Sequence, residues 1–474
     1  MAFTDYDQYD GLGLGELVTK GKVKPEELLD EAISRTEKLN PKLNAIVFKH
    51  YDAARAQIAR GLPDGAFKGV PFLLKDLHLL LNGTETSFGS SAFHGNIADH
   101  NSTLTDRYLA SGVVIFGKTN SPEFGLSPTT EPRAYGATHN PWDLTRSPGG
   151  SSGGAAAAVA AGILPLANAS DGGGSIRIPA SACGLFGMKP TRARTPMGPD
   201  RGEGWGGMSI AHVVSRSVRD SAAMLDATHG AADGDAYAAP HVARPFLDEV
   251  TTAPNTLRIA FSTKRPDGAA CNKEVVAAIE ATAKLLEGLG HVVEEAAPVF
   301  DPQELGQHQA TIIGANVALT LRQRAAVLGR ELTANDVESF TMLINEAAKL
   351  RSGTDYAAST LYMHQMGRHM ARFHQRFDIY LSATLATPPI PLGTLDTSAN
   401  DIAAYLRASA EYVPNIGVYN MTGQPSMSVP LAWSKDGLPL GMMFTGRFGD
   451  EATLFRLAGQ LEQAQPWAGK RPAL

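Results

Sequence analysis

Ser151, Ser175 and Lys75 are the side chains of this sequence best suited to nucleophilic catalysis. The two serines lie 24 residues apart, and each is flanked by glycines that expose its hydroxyl and the adjacent backbone N–H groups. Lys75 follows the apolar run 72–74. Because burial disfavours a charged ammonium and lowers the pKa of a lysine, Lys75 is suited to act as a neutral base.

A serine hydroxyl is a weak nucleophile and needs a base to accept its proton. His139 and His212 are the histidines nearest to Ser175 in sequence, and neither lies among glycines. Lys75 is therefore the favoured base, with Ser151 passing the proton of Ser175 to it. The predicted chemistry is a Ser–Ser–Lys relay in which Ser175 attacks an acyl carbon.

The glycines before Ser175 predict a second element of acyl-transfer chemistry. Consecutive glycines let backbone N–H groups point into one concavity, which stabilises a developing oxyanion. We expect Asp171 and Arg177 to form an ion pair that supports this loop without acting directly in catalysis. The predicted oxyanion hole consists of the N–H groups of Gly172, Gly173, Gly174 and Ser175.

Residues 149–153 also fit the G-x-S-x-G pattern of the nucleophile elbow in α/β-hydrolases. That motif follows a hydrophobic strand, whereas residues 140–148 read as a polar loop broken by prolines. We therefore reject the elbow. Ser152 is the alternative to Ser151 as the bridging serine, and the 24-residue spacing favours Ser151.

Strands and helices alternate along the chain, which predicts an α/β protein with both faces of its sheet covered. The segments 257–262, 273–288 and 291–295 form a βαβ pattern. A helix over 25–39 is expected to stop at Asn40–Pro41. The remaining predicted strands cover 45–48, 70–74, 113–116, 163–167 and 377–385. The remaining predicted helices cover 104–111, 153–161, 218–227, 451–463 and most of 303–373.

Composition narrows the classes of function. The 474 residues are 43% hydrophobic and 19% charged with a net charge of −6, and no long basic run indicates nucleic-acid binding. No run of about 18 apolar residues predicts a membrane span. The two cysteines are not in a C-x-x-C pattern, and the N-terminus is acidic and polar rather than signal-like. These features predict a cytoplasmic protein.

The motifs around these residues resemble the amidase signature family of serine hydrolases. The likeness is carried by G-G-S-S-G-G-A-A-A-A-V-A-A-G and by the run S-D-G-G-G-S-I-R-I-P-A-S-A-C-G-L-F-G-M-K-P-T. It continues in L-K-D-L around Lys75, in G-K-T-N-S-P-E-F at 117–124, and in segments 130–142 and 420–430. Within the family, the sequence looks most similar to nylon-oligomer (cyclic-dimer) hydrolases and aryl acylamidases.

The resemblance implies a role for each candidate residue. Lys75 matches the catalytic lysine, Ser151 the bridging serine that a cis peptide typically holds, and Ser175 the nucleophile. It also implies one large domain over residues 1–474, with a large twisted mixed β-sheet covered by helices on both faces. The catalytic core is expected at about 65–230 and a helical lid or subdomain at about 303–373.

Two departures from the family pattern stand out. The family usually has Gly-Thr-Asp where this chain has Ala169, Ser170 and Asp171. Ser170 keeps the hydroxyl, so we expect it to support the site. The position after the aspartate is usually larger than Gly172, which predicts a wider or looser oxyanion loop.

The sequence therefore predicts a hydrolase of small amides that forms an acyl-enzyme, with carbamates and esters as further substrates. Neither a metal nor an organic cofactor is expected. The predicted partners are a small-molecule amide, anilide or carbamate, with no nucleic acid and no membrane, in a monomer or homodimer. One alternative is the glutaminase subunit of a tRNA-dependent amidotransferase. Another is a catalytically silent binding protein.

Overall fold

The structure is a computed structural model and describes residues 3, 5–399, 401–414 and 416–474. The strands are β1 (Ile46–Lys49), β2 (Pro71–Lys75), β3 (Val114–Thr119), β4 (Leu166–Asp171), β5 (Phe186–Lys189), β6 (Ile210–Ser215), β7 (Arg258–Phe261), β8 (Val292–Glu295), β9 (Ile379–Ala383), β10 (Ser426–Trp433) and β11 (Pro439–Thr445). The α-helices are α1 (Gly11–Thr19), α2 (Pro25–Leu43), α3 (Tyr51–Ala59), α4 (Thr103–Ala110), α5 (Gly153–Ala160), α6 (Arg177–Cys183), α7 (Val218–Thr228), α8 (Phe246–Val250), α9 (Lys273–Gly288), α10 (Pro302–Leu328), α11 (Ser339–Lys349), α12 (Gly353–Phe373), α13 (Ile402–Tyr412), α14 (Val418–Thr422) and α15 (Glu451–Ala464).

The strands form a large mixed sheet and a small one. The large sheet has the order β4-β6-β5-β10-β11-β9-β7-β8, and the small sheet has the order β1-β3-β2. In the large sheet β7 pairs in parallel with β8 and β9, which confirms the predicted βαβ unit, and the other pairings are antiparallel. The predicted α/β class with a large mixed sheet is therefore confirmed.

Alternation along strand β9 shows that both faces of the large sheet are covered. Ile379 and Leu381 belong to a core cluster that includes residues of α7, α9 and α15. Tyr380, between them, belongs to a different cluster with residues of α10, α12 and α14. Because successive side chains of a strand point to opposite faces, helices must lie on both sides of the sheet.

Two of the predicted boundaries are wrong. Helix α2 continues through Pro41, which lies in its last turn, and ends at Leu43. The helix ends there because Asn44, at φ 49°, adopts a left-handed conformation. The Asn40 side chain accepts the N–H groups of Ala45 and Ile46, which secures the exit from the helix. Strand β4 begins at residue 166 rather than 163 and runs on to Asp171, so it delivers residues 170 and 171 to the site.

Asn168 joins the two sheets where β2 lies beside β4. Its side-chain oxygen accepts the backbone N–H of Lys75 at 3.1 Å. Its amide nitrogen donates to the carbonyl oxygen of His212 at 3.1 Å and to the Tyr108 hydroxyl at 3.3 Å. One buried amide therefore fixes the end of β2, and with it the position of Lys75.

None of the helices in the described part of the chain combines the length and the apolar character that crossing a bilayer requires.

Replacing Asn168→Ala is expected to destabilise the protein by about 1–3 kcal/mol, because the buried N–H of Lys75 loses its acceptor. The measurement is the midpoint of thermal unfolding followed by circular dichroism. Asn82→Ala is the matched control, since Asn82 is exposed. Equal midpoints for the Asn168 variant and the unmodified protein would contradict the proposed link between the sheets.

Candidate active site

Lys75 lies at the end of β2, a strand whose five residues are all buried. Its Nζ donates to Ser151 Oγ at 2.7 Å and to Ser170 Oγ at 3.1 Å. The side chain is 1% exposed. The structure therefore brings together two of the predicted relay residues and the predicted supporting hydroxyl of Ser170.

Burial lowers the pKa of Lys75 to about 7, against the opposing effect of the negative charge on Asp171. At pH values above about 7 the amine is therefore mostly neutral and carries a lone pair. In this environment Lys75 can accept a proton from a neighbouring hydroxyl, which a solvated lysine does poorly near neutral pH.

The two adjacent serines make different contacts. Ser151 follows a cis peptide bond from Gly150 and meets Lys75. The Ser152 hydroxyl instead donates to the carbonyl oxygen of Ser170 at 3.2 Å and accepts its N–H at 3.3 Å. Ser152 therefore holds the backbone of β4, which agrees with the choice of Ser151 as the bridging serine.

Asp171 and Arg177 form the expected buried ion pair. Arg177 Nε donates to Oδ2 of Asp171 at 2.9 Å, and Nη2 donates to Oδ1 at 3.0 Å. Burial alone would raise the pKa of the Asp171 carboxyl, but Arg177, Lys189 and a hydrogen bond from Asn420 hold that pKa well below its usual range. The carboxylate therefore stays ionised beneath the glycine loop.

Asn420 completes this network, although no local pattern in the sequence indicated its contacts with Asp171 and Arg177. Its Nδ2 donates to the carbonyl oxygen and to Oδ1 of Asp171, each at 2.9 Å, and its Oδ1 accepts from Arg177 Nη2 at 2.7 Å. The signal was present, because Asn420 opens the 420–430 segment that resembles the family.

The predicted oxyanion loop lies between β4 and α6, and its N–H groups are not equivalent. The N–H of Gly174 donates to Asp171 Oδ1 at 2.7 Å, so the structure does not leave it available for an oxyanion. Among the described residues, the N–H groups of Gly172, Gly173 and Ser175 meet no acceptor. The available nest therefore has three N–H groups where the sequence predicted four.

Ser175 is half-buried at the end of this loop. Within the described part of the chain its hydroxyl makes no hydrogen bond, so the structure does not join it directly to Ser151. The two histidines are engaged elsewhere. His212 Nε2 bonds to the Ser221 hydroxyl at 2.9 Å, and His139 Nδ1 bonds to the carbonyl oxygen of Leu144 at 2.6 Å.

The oxyanion loop is not open above Gly172, contrary to the expectation of a wider loop. A Cβ placed on Gly172 would lie 2.7 Å from both Cε3 and Cζ3 of Trp205. The indole ring therefore occupies the volume that a larger residue at position 172 would fill. A residue 33 positions away in sequence makes this contact, which composition and spacing do not reveal.

The fold and site define an α/β protein with a buried lysine–serine centre beside a glycine loop. A sequence profile described as Amidase matches residues 27–455. The chain is 36% identical over 477 residues to the 6-aminohexanoate-cyclic-dimer hydrolase of Paenarthrobacter ureafaciens, across 98% of this chain and 96% of that protein. The chain therefore belongs to the amidase family and is an amide-bond hydrolase of that family, as its motifs indicated.

Solved structures agree with this assignment. A 6-aminohexanoate cyclic dimer hydrolase aligns with a TM-score of 0.93 and 34% identity, covering 98% of this chain and 99% of that chain. A bacterial aryl acylamidase of the amidase signature family aligns with a TM-score of 0.88 and 27% identity, with coverage of 98% and 99%.

Replacing Asp171→Asn is expected to destabilise the protein by about 3–5 kcal/mol, because the fully buried Arg177 loses its charge partner. Chemical unfolding in urea measures the change. Glu16→Gln is the control, because it removes the exposed pair with Lys20 and should leave the midpoint unchanged. A midpoint for Asp171→Asn that matches the control would show that this ion pair does not support the loop.

Proposed function

We propose that this chain cleaves the C–N bond of small amides through an acyl-enzyme on Ser175, with Ser151 and Lys75 carrying the proton. The observation that carries the proposal is the 2.7 Å contact between Lys75 Nζ and Ser151 Oγ at a buried amine whose pKa is lowered to about 7. A hydroxyl is a partner that can both donate and accept a proton, so this contact suits a relay.

In the first half of the reaction, Ser175 Oγ forms a bond to the acyl carbon while its proton moves through Ser151 to Lys75. The N–H groups of Gly172, Gly173 and Ser175 hold the oxyanion that develops. The proton then returns through Ser151 to the nitrogen of the leaving amine, and the C–N bond breaks. The acyl group remains as an ester on Ser175.

In the second half, water attacks the acyl carbon and gives up a proton along the same route. The ester bond to Ser175 breaks, the carboxylic acid leaves, and the serine hydroxyl is restored. The Ser175 side chain must turn toward Ser151 for this route to operate. Its half-exposed position, with no hydrogen bond to the described residues, supports such a rotation.

The proposed substrates are uncharged amides of small organic acids, both cyclic and linear, together with anilides. The names of the relatives support this class, since one group acts on a 6-aminohexanoate cyclic dimer and another is an aryl acylamidase. Carbamates and esters present a similar acyl carbon, and we include them in the proposal. Both cysteines are buried and free, in keeping with the proposed cytoplasmic location.

A hydrolysis panel of an aliphatic amide, a 4-nitroanilide, a carbamate, the 6-aminohexanoate cyclic dimer and glutamine tests the proposed class. We expect the anilide and the cyclic dimer to be cleaved and glutamine to be left intact. Ser175→Ala should lower kcat by more than about 10³-fold, because no covalent intermediate can form. Ammonia release from glutamine with no cleavage of the anilide would favour the amidotransferase subunit instead.

Covalent labelling of Ser175 with a fluorophosphonate tests whether Ser151 and Ser152 have different roles. Ser151→Ala should slow covalent labelling of Ser175 by about 10²–10⁴-fold, as expected for loss of proton transfer. Ser152→Ala removes only a contact with the β4 backbone and should still be labelled. Equal loss in both variants would contradict the assigned route, and failure to label the unmodified protein would favour a silent binding protein.

The pH dependence of this labelling tests Lys75. The rate is expected to rise with pH through about 7, because only the neutral amine accepts a proton and its pKa is lowered to that value. Lys75→Met should abolish this rise and slow labelling by about 10²–10⁴-fold.

Among the described residues, Lys189 and Glu123 are buried groups whose pKa is also shifted to about 7, and they serve as controls. Burial also lowers the pKa of Lys189 to about 7, and burial beside Glu338 raises the pKa of Glu123 to about 7. Lys189→Met and Glu123→Gln should each keep the rise near pH 7. Its disappearance in either variant would assign the pH dependence to that group and refute the role of Lys75.

A further inference from the structure

Trp205 lies beside the oxyanion loop in an unusual backbone conformation. It has φ 51° in the left-handed region, followed by Gly206 at 60° and Gly207 at 82°. A non-glycine residue in this region costs about 1–2 kcal/mol, so surrounding contacts must hold it there. Such backbone outliers cluster at functional sites.

Hydrogen bonds close the turn that carries Trp205. The N–H groups of Gly207 and Ser209 both donate to the carbonyl oxygen of Gly204, at 3.1 and 3.0 Å. Arg192 Nε donates to the carbonyl oxygen of Gly207 at 2.7 Å. These hydrogen bonds fix the conformation of the turn, which directs the indole ring onto Gly172.

Helices α10 and α12 lie behind the same turn. A Cβ on Gly206 would lie 3.0 Å from Cγ2 of Ile312 and 3.3 Å from the Tyr356 hydroxyl. Gln309 of α10 also donates from Nε2 to the carbonyl oxygen of Gly417 at 2.9 Å. Helices α10 and α12 therefore pack against the turn that carries Trp205.

The side chain of Trp205 is half-buried, and its indole N–H donates to none of the described residues, so packing against Gly172 rather than a hydrogen bond positions the ring. By contrast, the indole N–H groups of Trp142 and Trp467 donate to backbone carbonyl oxygens at 2.8 and 2.9 Å.

We propose that Trp205 is a specificity-determining residue whose indole ring forms the wall of the site next to Gly172. The ring limits the size of the substituents on the substrate carbon that is bonded to the carbonyl carbon. The inference rests on the proposed function, because the glycine loop is where the carbonyl oxygen of the substrate binds. The wall admits unbranched acyl chains and excludes acyl groups that are fully branched beside the carbonyl.

The test compares kcat/KM for two 4-nitroanilides, one with an unbranched hexanoyl group and one with a branched pivaloyl group. We expect the unmodified protein to prefer the hexanoyl substrate, and Trp205→Ala to reduce that preference at least about tenfold. Trp205→Phe keeps an aromatic wall and should hold the preference within about threefold. Trp433→Ala is the matched control, because Trp433 is also half-buried and has no acceptor, but lies at the end of β10.

A reciprocal pair of substitutions tests the contact itself. Gly172→Ala places a methyl group against the indole ring and should lower kcat/KM for the hexanoyl anilide about 100-fold. Adding Trp205→Ala to this variant should restore at least about tenfold, since the smaller residue gives back the space. A double variant no better than Gly172→Ala alone would overturn the proposal.

Fluorophosphonate labelling distinguishes the two levels of failure. If the unmodified protein is labelled on Ser175 and the substrate preference of Trp205→Ala equals that of the unmodified protein, the inference about Trp205 is wrong and the proposed function stands. If the unmodified protein is not labelled on Ser175, both are wrong. Labelling of Trp205→Ala also verifies that this variant is folded.

Discussion

The withdrawal of one amine from water is the constraint on which the rest of the site depends. Burial lowers the pKa of Lys75 to about 7, and no acidic group among the described residues pairs with it directly to reverse this, because its partners are the hydroxyls of Ser151 and Ser170. Lys189 shows that burial of a lysine is not sufficient for it to take part in a proton relay. Its pKa is lowered to about 7 as well, but its Nζ donates to the carbonyl oxygen of Pro190, which has no proton to exchange. Lys75 therefore differs from Lys189 in having a hydroxyl partner that can exchange a proton.

A second set of contacts pairs the negative charge that acts on the amine with other groups. The Asp171 carboxylate is neutralised by Arg177 and oriented by Asn420, and it fixes the N–H of Gly174. The network uses residues separated by as many as 249 positions, so the C-terminal part of the chain helps to hold the loop in place.

The residues proposed for catalysis carry local signals in the sequence, whereas those that act through packing do not. The glycines around Ser175 and the apolar run before Lys75 are such signals, and the structure places Lys75 against Ser151. The missed strands have a specific cause, since β10 contains Pro430, which reads as a strand breaker. In the structure the register with β11 shifts between Val429 and Ala432, and this irregularity accommodates the proline. Strand β6 was missed for a different reason, because it directly follows a glycine-rich loop over residues 202–207.

The departures from the family pattern are linked by geometry. Ser170 retains the hydroxyl that contacts Lys75, so the loss of a methyl group there leaves the polar contact intact. Gly172 gives up a side chain, and Trp205 supplies bulk from a different loop at the same point in space. The ring belongs to a separate turn, so it can change without altering the backbone of the glycine loop. Under the proposed function, selectivity and oxyanion stabilisation would therefore depend on different segments of the chain.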